Sequence, residues 1–287
     1  MTRPRSRAAA GLLAALLVGA LSACGGFGSK EPQTLDTTIR SYVALGDGFA
    51  AAPYAGKATS NDGCLRTDGG YPQKVATSLA VADFKNVSCV GASTRAITGR
   101  YVPPGAKAVP AQIDAVTKDT DLVTITVGIS DHNLIYGMFN ICPATPCGPK
   151  VIANDLAAQL KKLSTELPAT IRAVTARAPH AYVVVVGYPE LMPFENGCKA
   201  LPKMNASQWF YSNQAWRSFT GTVSSAARQA GAAFVDAQRL SAAHPPCTDD
   251  PWVNGATSVK GRSVGFHPKA VEEQAVAQAV LAQVRTR

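Results

Sequence analysis

Ser41-Tyr-Val-Ala-Leu-Gly-Asp-Gly-Phe-Ala50 is the stretch whose reading decides the fold. Residues 42–45 form a short apolar run with no polar alternation, the pattern of a strand covered on both faces. The run passes directly into Gly-Asp-Gly, a turn sequence, because glycine accepts backbone angles closed to other residues. A doubly covered strand implies a parallel sheet. In such sheets ligands bind beyond the carboxyl ends of the strands, where this turn lies.

The same alternation continues outward. The spacing predicts helices over Tyr71–Ala80, Ala111–Val116, Ser207–Gly231 and Pro268–Val284, the last with proline in its favoured first turn. A longer helical pattern covers Val151–Arg177, which Pro168 should kink or split. Strands are expected at Asn86–Val90, ending at Gly91, and at Leu122–Val127, Tyr182–Val186 and Ala233–Val235. Together these predict an α/β chain, a three-layer α/β/α fold around a roughly five-stranded parallel sheet. The loops at the ligand-binding edge are then Gly46–Gly48, Gly91–Thr94, Gly128–His132 and the loop carrying His267.

The start of the chain reads differently. Arg3, Arg5 and Arg7 precede an apolar stretch, Ala8 to Ala20, and then Leu21-Ser-Ala-Cys24. This is the pattern of a bacterial lipoprotein signal peptide over residues 1–23, with Cys24 as the lipid-modified residue. Residues 24–40 are polar and glycine-containing and read as a lipidated tether. The domain is expected over 41–287, anchored to the membrane through Cys24 at its outer face. Without the three signal arginines the net charge falls from +9 to +6, a balance suited to an anionic envelope surface. No basic cluster interleaved with aromatics argues for a nucleic-acid partner.

Six cysteines remain after Cys24: Cys64, Cys89, Cys142, Cys147, Cys198 and Cys247. An even number fits an oxidising compartment and allows 15 pairings. Spacing alone supports only Cys142–Cys147. No CxxC pair occurs and histidine is scarce, so neither a metal nor another cofactor is expected.

Four segments at the predicted strand ends resemble the sequence blocks of the SGNH or GDSL hydrolases, a family of esterases and lipases. They are Val43-Ala-Leu-Gly-Asp-Gly-Phe-Ala-Ala-Ala52, Ser88-Cys-Val-Gly-Ala-Ser-Thr94, Thr126-Val-Gly-Ile-Ser-Asp-His132 and Gly265-Phe-His-Pro268. The resemblance implies a flavodoxin-like fold, His267 as the catalytic histidine, and an oxyanion hole built from residue 48, Gly91 and residue 130. Cys64, Tyr71-Pro72 and Cys89 resemble the family's secreted branch, which implies disulfides Cys64–Cys89, Cys142–Cys147 and Cys198–Cys247.

Three positions depart from the family pattern. Gly48 stands where the family has its nucleophilic serine, Ser130 where it has an oxyanion-binding asparagine, and Val264 where it commonly has the acid that orients the histidine. Some secreted members orient that histidine through a backbone carbonyl instead. Asp249 and Asp250 would reach His267 only if their loop folds over it; otherwise they form an acidic surface turn. The expectation is a monomeric envelope lipoprotein that binds an acyl or glycosyl group and is weakly active or inactive as a serine esterase. The alternative is an active ester hydrolase using Ser130 or a water activated by His267.

Overall fold

The computed structural model describes residues 38–136, 138, 149–192, 198–258 and 264–287. The signal peptide, Cys24 and the expected Cys142–Cys147 bridge lie outside the described residues.

Five strands form one parallel sheet: β1 (Ser41–Gly46), β2 (Asp83–Asn86), β3 (Leu122–Thr126), β4 (Tyr182–Val186) and β5 (Ala233–Val235). Their order is β2-β1-β3-β4-β5, all neighbours parallel. This is the doubly wound order 2-1-3-4-5, as expected. Alternate residues of each central strand feed two separate cores. Val43, Leu45, Val123, Ile125, Val183 and Val185 meet one layer of helices, whose contacts include Leu163, Leu167, Trp216 and Phe219. Tyr42, Ala44, Leu122, Val184 and Val186 meet the opposite layer through Val75, Val276 and Val280.

The helices follow the predicted places, with instructive shifts. They are α1 (Gly48–Ala51), α2 (Tyr71–Ser78), α3 (Thr94–Thr98), α4 (Leu134–Tyr136), α5 (Pro149–Arg177), α6 (Ala206–Gln229), α7 (Ala237–Leu240) and α8 (Ala270–Arg285). The turn at Gln112–Ala115 is 3₁₀ rather than α. Pro168 does not split α5. The hydrogen bond it cannot make is offset by the buried stripe Leu163, Leu167, Ile171 and Val174, which holds the helix to the sheet on both sides of the proline. Pro268 lies before the α8 N-cap, Lys269, not in its first turn.

β2 starts at Asp83, three residues earlier than expected. It is the edge strand and its residues alternate between exposed and half-buried, so the expected strand Asn86–Val90, sought as an apolar run, overlaps it only at Asn86. Beyond Asn86 the pairing thins, but Val87 N–H and Cys89 N–H still donate to the carbonyls of Ala44 and Gly46. Two of the three expected disulfides fall among the described residues and are formed, Cys64–Cys89 and Cys198–Cys247. The first fastens the end of this edge segment to the loop after α1.

The α2–α8 layer hides two carboxyls. Glu272 and Glu273, in the first turn of α8, are almost completely buried. Glu273 Oε2 accepts from Tyr71 N–H at 2.6 Å. Both Glu272 oxygens and Glu273 Oε1 have no hydrogen-bond partner among the described residues. Burial pushes both groups from 4.5 up to about 8, with their mutual repulsion adding to the rise at Glu273. The folded chain therefore keeps protons that the unfolded chain releases, and stability falls as pH rises from about 4.5 to about 8. In thermal melts, Glu272→Gln and Glu273→Gln should each flatten this slope and raise the midpoint at pH 8 by roughly 2 °C or more. A melting temperature constant over this window in the unsubstituted chain would contradict the assignment.

Candidate active site

The site begins where β1 and β3 end side by side. Gly46 has φ +146°, and a Cβ there would stand 2.2 Å from the Thr126 carbonyl oxygen, so only glycine fits. Its backbone is clamped by the Gln112 side-chain amide, which accepts from Gly46 N–H at 2.7 Å and donates to Gly46 O at 2.8 Å. Asp47 N–H then donates to Thr126 O at 2.8 Å. The turn leads into α1, where Asp47 is the N-cap and its Oδ1 accepts from Phe49 N–H at 2.9 Å.

The second Asp47 oxygen accepts from the Tyr188 hydroxyl at 2.5 Å, and Ile129 N–H donates to that hydroxyl at 3.3 Å. Tyr188, on the loop after β4, thus joins the loops after β1 and β3. Burial pushes the Asp47 carboxyl up to about 7, against the Tyr188 and Phe49 hydrogen bonds that favour its charged form.

The loop bearing Gly91 is fastened in the same way. Cys89 N–H donates to Gly46 O at 2.9 Å. Asp131, next to Ser130, accepts from Thr94 N–H at 3.0 Å and from the Thr94 hydroxyl at 2.5 Å. Gly91 has φ +75°, and a Cβ on it would stand 2.7 Å from the Tyr101 hydroxyl. That hydroxyl donates to Val90 O at 3.0 Å. Among the described residues, neither Gly48 N–H nor Gly91 N–H donates a hydrogen bond, and the partly exposed Ser130 hydroxyl forms none. Both N–H groups and the hydroxyl are available to a ligand oxygen.

His267 comes from the loop before α8. Its Nδ1 lies 2.9 Å from the carbonyl oxygen of Gly265. A carbonyl only accepts, so Nδ1 carries the proton and Nε2 holds the lone pair. Burial lowers the pKa of the ring, against the raising effect of the Gly265 bond, which favours neutral imidazole. The ring stacks on Phe49 with centroids 4.6 Å apart. A Cβ on Gly48 would stand 2.4 Å from Nε2, so the imidazole edge and the side-chain space of residue 48 coincide.

The chain folds so that Gly48 and His267 meet, as the four sequence blocks imply, and brings the Gly91 and Ser130 loops onto the same edge. Val264 is replaced as the orienting group by the Gly265 carbonyl. Asp250 pairs with His244, its carboxylate 3.3 Å from Nδ1, and His244 stacks on Trp252. His132 Nε2 lies 2.6 Å from Glu166 Oε2. With Asp131 these two side chains could place ligand atoms within 4.8 Å of one another, but Asp131 is already committed to Thr94. Gln112, Tyr188 and Tyr101 went unrecognised as site residues because they lie outside the four sequence blocks, and Phe49, inside the first block, because nothing in the sequence shows that its ring meets His267.

A histidine on the last loop facing a glycine turn at the end of β1, with free backbone donors beside it, defines a hydrolase-type site on a doubly wound sheet. The sequence model of the GDSL-like lipase/acylhydrolase family matches residues 44–271, and the chain belongs to that family. It is 30% identical over 268 residues to a lipase of Streptomyces rimosus, covering 92% of this chain and 93% of that protein. It is 29% identical over 265 residues to Lipase 2 of Streptomyces coelicolor, covering 84% and 85%. Among solved structures, a phospholipase A1 from Streptomyces albidoflavus NA297 superimposes with a TM-score of 0.70 at 26% identity, covering 85% of this chain and 99% of that one. The extracellular lipase of S. rimosus gives 0.68, also at 26% identity.

Because Tyr188 alone ties Asp47 to Ile129 here, Tyr188→Phe should leave a buried carboxyl short of a donor. The expected loss is about 1–3 kcal/mol of unfolding free energy, measured by denaturant titration. A change under about 0.5 kcal/mol would show that the Asp47–Tyr188 contact contributes little.

Proposed function

We propose that this chain is a cell-envelope lipoprotein whose family site binds an acyl or glycosyl group and is weak or inactive as a serine esterase. The observation that carries the reading is the approach of His267 to Gly48. Serine in that place would need its Cβ where Nε2 already crowds, 2.4 Å away. Gly48 and the advanced imidazole thus fit one another, and the nucleophile of the family has no room without a shift of the ring. Loss of the serine from a hydrolytic triad costs on the order of 10⁶ in kcat. The binding half of the site has the parts it needs, since the Gly48 and Gly91 N–H groups are open to a carbonyl oxygen. Leu65 and Val102 are exposed on neighbouring loops, beside which the site of Gly63 touches Pro103 and Ala106.

Lipidation of Cys24 would place this site at the outer face of the membrane, with residues 24–40 as its tether. The names of the Streptomyces relatives favour the second reading, an active ester hydrolase. Within that reading Ser130 is the weaker candidate, because its hydroxyl has no hydrogen bond to a base that could activate it. A water held between His267 and the donors is the stronger one.

A fluorophosphonate probe should label no serine of the unsubstituted protein, as read by intact mass and peptide mapping. Gly48→Ser, which forces the ring to withdraw, should gain both labelling at residue 48 and turnover of short acyl esters. Robust labelling of any serine in the unsubstituted protein would overturn the reading.

A further inference from the structure

The two buried carboxyls of α8 adjoin the site. Glu272 and Glu273 line a cavity of about 10 Å³ together with Phe49, Tyr71, Thr126 and Pro268, a space for about one water molecule. Phe49 also stacks on His267, and Pro268 follows His267 in the chain. Thr126 O accepts from Asp47 N–H, and the Thr126 hydroxyl pairs with the Tyr71 hydroxyl at 2.8 Å. The walls of the cavity are therefore residues that place Gly48 and the imidazole.

Few charges face the pair. From α2, Lys74 favours the ionised form of Glu273, and Tyr71 donates its N–H to Glu273 Oε2. Within α8 each glutamate faces the other, and repulsion from Glu272 opposes ionisation of Glu273. Asp47 acts on Tyr71 rather than on either glutamate. Phe49 of α1, Thr126 of β3, Gly187 after β4, Ala237 of α7 and Pro268 bring no charge to the cavity. Three of the four carboxyl oxygens have no hydrogen-bond partner among the described residues. Such a wall tolerates neutral acids. A carboxylate there has no counter-ion at Glu272 and a single lysine near Glu273, so it must gain water or move toward it.

We propose that Glu272 and Glu273 are positioning residues that form a proton-dependent latch on His267. While both carboxyls keep their protons, the cavity stays closed and Phe49 holds the imidazole against Gly48. When a proton leaves for solvent, water enters to hydrate the charge left behind. The wall formed by Phe49 and Pro268 then parts, and the imidazole withdraws from Gly48. The glutamates act only through those two neighbours, and the latch does not depend on which group the site binds. Burial raises both carboxyls to about 8. The closed form is the one that binds protons, so the site is assembled below about pH 8 and opens above it.

Diethyl pyrocarbonate tests the latch, because it modifies neutral imidazole and needs access to the ring. Burial lowers the pKa of His267, so above pH 7 the ring is neutral and a change of rate reports access. Initial rates at each of the four histidines are read by peptide mapping in the unsubstituted protein between pH 7 and 9. A carboxyl near 8 passes from about one-tenth to about nine-tenths ionised over this range, so His267 should gain about ninefold while His132, His180 and His244 stay within about twofold. The double variant Glu272→Gln/Glu273→Gln keeps the shape of the pair and carries no charge at any pH. It should hold His267 at its pH 7 rate throughout, with a thermal melt to show that it is folded. A gain at His267 below about threefold in the unsubstituted protein would overturn the latch whatever the variant does. A gain that persists in the double variant would also overturn it, as would one shared by all four histidines, which marks general loosening of the fold.

Discussion

The site depends on how closely β1 and β3 approach at their ends. Gly46 lies against the Thr126 carbonyl where any Cβ would collide, and the Gln112 amide satisfies both of its backbone groups. That approach lets Asp47 N–H reach Thr126 O, which aims the first turn of α1 at the loop before α8. Asp47 then caps α1 and meets Tyr188. Each later feature, from the open Gly48 N–H to the stack of Phe49 on His267, is placed by this chain of contacts. It is a low-dielectric network in which a buried carboxyl with a pKa near neutrality is tolerated because two donors, the Phe49 N–H at the start of α1 and the Tyr188 hydroxyl, meet it.

Much of this was legible in the sequence, and what was missed shares one physical character. Central strands announce themselves by being apolar on both faces, which is why β1, β3 and β4 are readable nearly to the residue. β2 is half polar because it has only one covered edge. The catalytic-block residues Gly48, Gly91, Ser130 and His267 are readable because each sits beside a glycine or proline turn at a strand end or helix start. The groups that hold them are not. Gln112 bonds Gly46 across 66 residues, Tyr188 bonds Asp47 across 141, and Glu273 bonds Tyr71 across 202. No periodicity encodes such pairs. The Gly265 carbonyl is invisible for another reason: it is backbone, and any residue supplies one. Pro168 shows the reverse case, a strong local signal overruled by packing on both sides of it.

Gly48, Ser130 and Val264 first read as three losses. In the folded chain they differ in kind. The work of an acid at 264 is done by the Gly265 carbonyl, so its absence costs the site little. Ser130 keeps an unengaged donor on the rim. Gly48 is the departure with consequences, and its consequence is positional, because the imidazole occupies ground that a serine side chain would hold. The Gly48 and Gly91 N–H groups stay without a hydrogen-bond partner among the described residues, beside the imidazole edge.

The state of one ring tests this account most directly. Nitrogen-15 NMR of His267 should show Nδ1 protonated and Nε2 unprotonated at neutral pH, with a titration midpoint below the usual 6.5. A ring that is cationic at pH 7, or neutral with its proton on Nε2, would contradict it, because no lone pair would then face Gly48.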